Sequence, residues 1–244
     1  MKGFSFRRYS VRQWIKNIAL GAGVILLLQI LIVILLRWLP VYATPLMVIR
    51  EFQKIGTDKK MGFSKTWRSR EKISDHLKVA VICSEDQRFF SHMGFDLKAI
   101  EKAIDYNEKQ QKRGRKKQRG ASTISQQTAK NVFLWPQRSW VRKGLEVWFT
   151  LLIEIFWSKQ RILEVYLNVA EMGDSIYGAE AAAKAYWKQP AAKLSADRSA
   201  LLAAILPSPR KYSAAKPGPY VQSRQSWIRR QMRFNSPLYQ KVKD

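Results

Sequence analysis

The segment Ile18 to Leu36, IALGAGVILLLQILIVILL, runs 19 residues without a charge, and Gln29 is its only strongly polar side chain. At about 1.5 Å per residue, a helix of that length approaches the roughly 30 Å hydrocarbon layer of a bilayer. A cleaved secretory signal has a shorter apolar region, about 7 to 15 residues, closed by a small-residue cleavage site. Ala43 and Thr44 offer only a weak site of that kind, so the expectation is an uncleaved anchor spanning 18–38. Lys2, Arg7, Arg8, Arg12 and Lys16 precede the segment with no acid among them; after it comes Arg37 and then no base until Arg50. Excess Lys and Arg mark the cytoplasmic side. Residues 1–17 are therefore expected inside the cell, 39–70 as a juxtamembrane linker, and 71–244 as an extracytoplasmic domain. Trp14, Trp38 and Tyr42 suit the two headgroup interfaces.

The chain carries 44 Lys and Arg against 18 Asp and Glu, a formal charge of +26. Nucleic acid, anionic lipid headgroups or a phosphorylated substrate could each attract such a charge. An anchored domain outside the membrane argues against nucleic acid and leaves the other two. Seven of the bases fall in Lys109 to Arg119, KQQKRGRKKQR. That stretch reads either as a solvated, mobile loop or as a contact for headgroups or a substrate phosphate. The one cysteine, Cys83, excludes an internal disulfide and a cysteine-rich zinc site, and follows an apolar run that would bury it.

Beyond the anchor the patterning is helical, with few strand signals and no internal repeat. Ser74 is placed to cap a helix running through Ile82; Leu97 to Tyr106 forms a second, shorter one. Leu145, Trp148, Phe149, Leu152 and Ile155 recur at spacings of three and four, as do Ile162, Leu163, Tyr166 and Leu167. Ser195 can cap a helix that ends before Pro207 and Pro209, and the tail from Ser223 is basic and aromatic without an evident role.

Because acids are scarce, their positions carry information. Glu85 and Asp86 lie between an apolar helix and Phe89-Phe90. Apolar neighbours strip hydration from a carboxylate and raise its pKa toward the range of a general base; a helix-terminal acid paired with a nearby base remains the alternative. Arg142, Lys143 and Glu146 share one helix face by spacing, either as a plain ion-paired group or as cations able to hold a pyrophosphate. In GASTISQQTAKN (120–131), a helix would line up Thr123, Gln126, Gln127 and Lys130, a face suited to sugar or phosphate or simply to solvent. The sequence contains no GxSxG, HExxH, Walker A or GxGxxG motif, and its two SxxK matches, at Ser69 and Ser208, have no KTG behind them. His76 and His92 form no metal-ligand cluster, and His92 is placed to orient the loop after Glu85.

Together these segments resemble glycosyltransferase family 51, in particular its monofunctional biosynthetic peptidoglycan transglycosylases. EDxxFxxHxGxD falls on Glu85, Asp86, Phe89, His92, Gly94 and Asp96, and GxSTIxQQxxKN on Gly120, Ser122, Thr123, Ile124, Gln126, Gln127, Lys130 and Asn131. RKxxE is Arg142, Lys143 and Glu146; KxxILExYLN covers Lys159, Ile162, Leu163, Glu164, Tyr166, Leu167 and Asn168; LLAAILPSPRKYS closes the series at 201–213. No transpeptidase domain accompanies them, in keeping with the monofunctional branch.

The resemblance implies a mainly α, lysozyme-like, two-lobed domain behind one transmembrane helix. It also implies an inverting enzyme that joins lipid II into β-1,4-linked glycan at the bacterial inner membrane. Glu85 would be the general base. Arg142, Lys143 and Lys130 would meet the donor phosphates, with Glu146 supporting that site by orienting the cations or through a divalent metal, Mg or Mn. Asp86, Phe89, Ser122, Thr123, Gln126, Gln127 and Asn131 would contact substrate; His92, Lys159, Glu164, Tyr166 and Asn168 would hold the architecture. No organic cofactor is implied. The expected partners are lipid II, the growing strand, membrane lipids, and cell-division or cell-wall synthesis proteins. A glycan-cleaving lysozyme-like enzyme and a basic, membrane-tethered scaffold are the rival readings.

Overall fold

A computed structural model describes residues 11–58, 61–115, 120–137 and 139–243. The chain divides into two compact units, residues 1–39 and 40–244. Within the first, helix α1 (Val11–Leu35) is 25 residues long and so extends about 37 Å. It begins before the charge-free run and takes in Arg12 and Lys16. Its apolar side chains, Ile18, Leu20, Leu27 and Leu31 among them, are exposed. A helix that turns most of its apolar residues outward suits a lipid environment, and this one, in which Val33 is buried, is long and apolar enough to cross a membrane.

The second unit is mostly helical. In chain order its helices are α2 (Pro45–Phe52), α3 (Asp75–Glu85), α4 (Leu97–Lys112), α5 (Ile124–Phe133), α6 (Trp140–Phe156), α7 (Lys159–Val169), α8 (Ala179–Trp187), α9 (Ala196–Ile205), α10 (Pro219–Phe234) and α11 (Pro237–Lys241). Three short strands, β1 (Ser64–Lys65), β2 (Glu171–Gly173) and β3 (Ile176–Tyr177), make a small sheet in the order β1-β3-β2. β1 runs parallel to β3 with Ser64 opposite Ile176, and β2 runs antiparallel to it with an irregularity between Glu171 and Gly173.

Helix α3 explains why the interior forms where it does. Its residues Leu77 to Cys83 are all buried, so it is a core helix without a solvent face. Lys78 lies in that run and is tolerated because its ammonium reaches Asp75 at 2.8 Å. Helices α9 and α10 pack on α3, while α5 packs on α6 and α7. The molecule thus has two helical groups, and they meet where α3 ends and α5 begins. Cys83 is fully buried and burial pushes its thiol up to about 11, in keeping with an unreactive core residue.

Several local expectations shift. Ser74 does precede α3, but its hydroxyl donates to the Leu194 carbonyl at 2.8 Å instead of capping the helix. A long-range partner has outcompeted the local one. Ser195 caps α9 by accepting from the Arg198 N–H. The helix opening at Leu97 runs past Tyr106 to Lys112, started by Asp96, which accepts from the Ala99 N–H. Part of the basic stretch 109–119 is therefore helical; residues 116–119 lie outside the described residues. On α6, Phe149 and Leu152 face inward as patterned, whereas Ile155 is exposed.

Gly178 opens α8 at φ +80, and a Cβ there would sit 2.6 Å from the backbone oxygen of Asn168. Both the conformation and the close approach need glycine. Gly178→Ala is expected to destabilise the second unit by about 2 kcal/mol or more, read as a fall in the unfolding midpoint. An unchanged midpoint would show that the neighbouring backbone yields freely.

Candidate active site

Glu85 is the last residue of α3, and Asp86 behind it leaves helical geometry. Adjacent in sequence, the two carboxylates meet different surroundings. Asp86 is buried and well satisfied: His92 Nε2 lies 2.9 and 3.1 Å from its two oxygens, and the Ile124 N–H donates to Oδ2 at 3.1 Å. It therefore pins the start of α5 to the end of α3. Thr123 adds a second tie, its hydroxyl donating to the Gly94 carbonyl at 2.6 Å.

Glu85 is only partly covered, with two side-chain donors. Ser84 Oγ donates to Oε1 at 3.2 Å and Gln127 Nε2 to Oε2 at 3.0 Å. The Gln127 amide is itself oriented, because Tyr166 donates its hydroxyl to Oε1 at 3.2 Å and so leaves the NH2 for Glu85. Burial holds the Tyr166 phenol well above its ordinary pKa and keeps it a donor. For Glu85, burial is the largest influence and raises its pKa, aided by Asp86; Gln127, Ser84 and Arg224 oppose it. The outcome is a raised pKa, as proton acceptance near neutral pH requires.

The cations lie on α5 and α6. Arg142 and Lys143, on the first turn of α6, reach the two oxygens of Glu146 at 2.9 and 2.6 Å. Lys130 on α5 interacts electrostatically with this group and with Glu85. Burial lowers its pKa most, Glu146 and Glu85 pull it up, and Arg142 and Lys143 push it down. Lys130 thus feels both carboxylates, and the Glu85 end and the RKxxE end belong to one electrostatic site. A cavity of about 250 Å³ opens beside Gln127 and Lys130, with Asn131, Trp135 and Tyr166 in its walls.

Glu85, Arg142, Lys143 and Glu146 do not themselves line that cavity, and the other residues singled out in the sequence lie away from it too. Phe89 is fully buried with the Lys159 ammonium 4.8 Å over its ring, and Lys159 pairs with Glu154 at 2.7 Å. Thr123 and Gln126 form a reciprocal capping box at the start of α5. The Gln126 side chain therefore serves the helix end, and Gln127 is the one that meets Glu85. Ser122 is exposed. Glu164 pairs with Arg161 at 2.8 Å. Asn168 accepts from the Arg68 N–H and donates to the Arg68 and Glu164 carbonyls, each at 2.8 Å.

The sequence reading passed over Glu154, which accepts from Ser125 and Lys159, and Glu180, which takes Arg68 at 2.9 Å and the Ala191 N–H. A lone acid inside an apolar helix, as in LLIEIF, was the available signal for the first. The donor set does not fit a resident metal. No three or more His, Cys, Asp or Glu side chains converge among the described residues, and both Glu146 oxygens already face cations.

A carboxylate whose pKa burial raises and a group of cations, in a mainly helical domain, are what an acid–base transferase acting on a substrate with an anionic leaving group needs. The sequence profile described as transglycosylase matches residues 52–233, and the chain belongs to that family. A biosynthetic peptidoglycan transglycosylase of Bacteroides thetaiotaomicron is 59% identical over 203 residues, covering 83% of this chain and 80% of the relative. Relatives of the same name from Pseudomonas entomophila and Xanthomonas euvesicatoria are 54% and 50% identical, covering 86% and 93% of this chain and 88% and 91% of their own.

Asp86→Ala should cost about 3 kcal/mol of stability, since it unpairs His92 and the buried Ile124 N–H together. Chemical denaturation would read the loss. A variant as stable as the parent would show that Asp86 does not join α3 to α5.

Proposed function

We propose that this protein is a peptidoglycan glycosyltransferase that polymerises lipid II, a disaccharide-pentapeptide on undecaprenyl pyrophosphate, into β-1,4-linked glycan for the cell wall. The observation that supports the reading is the largely buried Lys130, which interacts electrostatically with Glu85 and with Arg142, Lys143 and Glu146 alike. Glu85 takes the proton from the 4-hydroxyl of the acceptor sugar as that oxygen attacks C1 of the donor. The new O–C1 bond forms as the C1–O bond to the diphosphate breaks, and the electron pair leaves on the diphosphate oxygen. Attack from the opposite face turns the α-linkage into a β-linkage. Lys130, Arg142 and Lys143 neutralise the leaving diphosphate, and Glu146 keeps the latter two side chains extended toward it. Asn131 and Gln127 line the cleft, while the buried Asp86, Phe89, Thr123 and Gln126 act by shaping it.

α1 is read as the single-pass anchor at the inner membrane, with residues 1–17 cytoplasmic and the catalytic domain outside. The basic residues before the apolar run support that orientation. The lipid tail of the substrate would then lie in the same bilayer, and the glycan strand would grow in the wall space, where cell-division and wall-synthesis proteins work.

Glu85→Gln is expected to abolish lipid II polymerisation and to leave the fold intact. Because burial raises the Glu85 pKa in the folded state, stability falls as pH climbs from the ordinary carboxylate value to the raised one, and the whole penalty is present above the latter. At pH 8 the variant should therefore melt no lower than the parent. Parental turnover by folded Glu85→Gln protein would remove Glu85 from the base role. Lys143→Ala should lower kcat/KM for lipid II by about tenfold or more; an unchanged value would dismiss the donor-phosphate assignment.

A further inference from the structure

The basic, aromatic tail gains a role from where α10 packs. The helix lies against α3 and α9, and its Arg224 reaches the residue immediately before Glu85. One guanidinium nitrogen lies 3.1 Å from the Ser84 carbonyl oxygen and 3.4 Å from Ser84 Oγ, donating toward both. The guanidinium also sits 4.2 Å over the Trp227 ring one turn on, which restricts where it can point. A second bridge runs beside it: Gln87 donates to the Cys83 carbonyl at 3.3 Å and to Gln231 Oε1 at 3.2 Å. The end of α3 thus has its carbonyls engaged by side chains, one of them from a helix some 140 residues away.

We propose that Arg224 is a positioning residue for the catalytic carboxylate, holding Ser84 so that its hydroxyl faces Glu85 and setting a fixed cation on the side of Glu85 remote from the substrate phosphates. The Ser84 hydroxyl has one hydrogen and two acceptors in reach, Glu85 Oε1 at 3.2 Å and the Ala203 carbonyl at 3.3 Å. With Arg224 donating onto the same oxygen, that hydrogen stays directed at one of these two acceptors. The charged and titratable groups around Glu85 are then Asp86 beside it, Lys130 on α5, Tyr166 on α7 and Arg224 on α10. Lys130 faces the leaving group and will be neutralised when the diphosphate binds. Arg224 will not, so it keeps Glu85 ionisable throughout the cycle and limits how far burial lifts its pKa.

The inference rests on Glu85 being the base, and the experiment separates the two. Full-length protein in lipid vesicles is assayed with lipid II from pH 5 to 9 as parent, Arg224→Gln, Arg224→Lys, Ser84→Ala, and Arg229→Gln as a control on the same helix. A base that works ionised gives an acid limb, and losing a nearby cation must move that limb to higher pH. Arg224→Gln is expected to shift it upward by about half a pH unit or more with KM for lipid II little changed. Ser84→Ala should shift it less in the same direction, and Arg224→Lys should restore most of the parental profile. Arg229, which pairs with Asp197 at 2.9 Å, should leave the limb in place.

A uniform loss of rate with an unmoved limb in Arg224→Gln and Ser84→Ala would overturn the proposal, as would a raised KM alone. Should Arg224→Gln fail to fold, Ser84→Ala decides by itself. If Glu85→Gln stays active with the parental acid limb, it is the base assignment that falls, whatever Arg224 does.

Discussion

The junction at Asp86 governs the rest of the site. A buried carboxylate is expensive unless its oxygens find donors, and Asp86 finds them in His92 and in the first backbone N–H of α5. Those bonds tie together helices from two separately packed groups, and Gln127 and Lys130, the residues of α5 that interact with Glu85, ride on that tie. The neighbouring carboxylate is left with two side-chain donors and a partly covered position. Two adjacent acids thereby acquire different properties from environment alone. One is a fastener, and the other stays available to take a proton.

The cation bank follows a similar logic. Arg142, Lys143 and Lys130 outnumber Glu146, so the free protein holds excess positive charge in a partly desolvated place. Lys130 records this in a lowered pKa, with burial as its first cause and the two α6 cations adding to it. A diphosphate entering here relieves both the repulsion and the missing solvation. In the proposed mechanism the ion-paired group on α6 is half of a phosphate site, and a lysine from another helix is the other half. The net charge of +26 does not by itself reveal this, because most of it lies elsewhere.

What the sequence disclosed divides by distance along the chain. The apolar anchor, the N-cap at Ser195 and the RKxxE face arise from local patterns of sequence. The capping box at Thr123 and Gln126 is equally local, although it was read as part of a substrate face. The family motifs brought the mainly α class with them, and the expectation of a base at Glu85. Partners far apart stayed hidden: Tyr166 to Gln127 spans 39 residues, Asn168 to Arg68 spans 100, and Ser74 forgoes its own helix for Leu194 across 120. Each is a polar group whose choice of partner depends on which helices pack together, and periodicity carries no information about that.

The dehydrated state of Glu85 has to be sustained by something that gains from folding. Helix α3 buries Leu77, Val79, Val81 and Ile82 completely, and full burial of such side chains contributes about 1.5–3 kcal/mol each. Together they outweigh the cost of withholding water from one carboxylate, whose pKa that burial raises. The core helix can therefore carry a destabilised residue at its tip without losing its place. The contacts that bury it come from α9 and α10, which are late in the chain, so Glu85 acquires its working environment only after residues around 224 have packed. Base strength here is a property of the assembled helical group and not of the local sequence at 85, even though the local sequence is where it first shows.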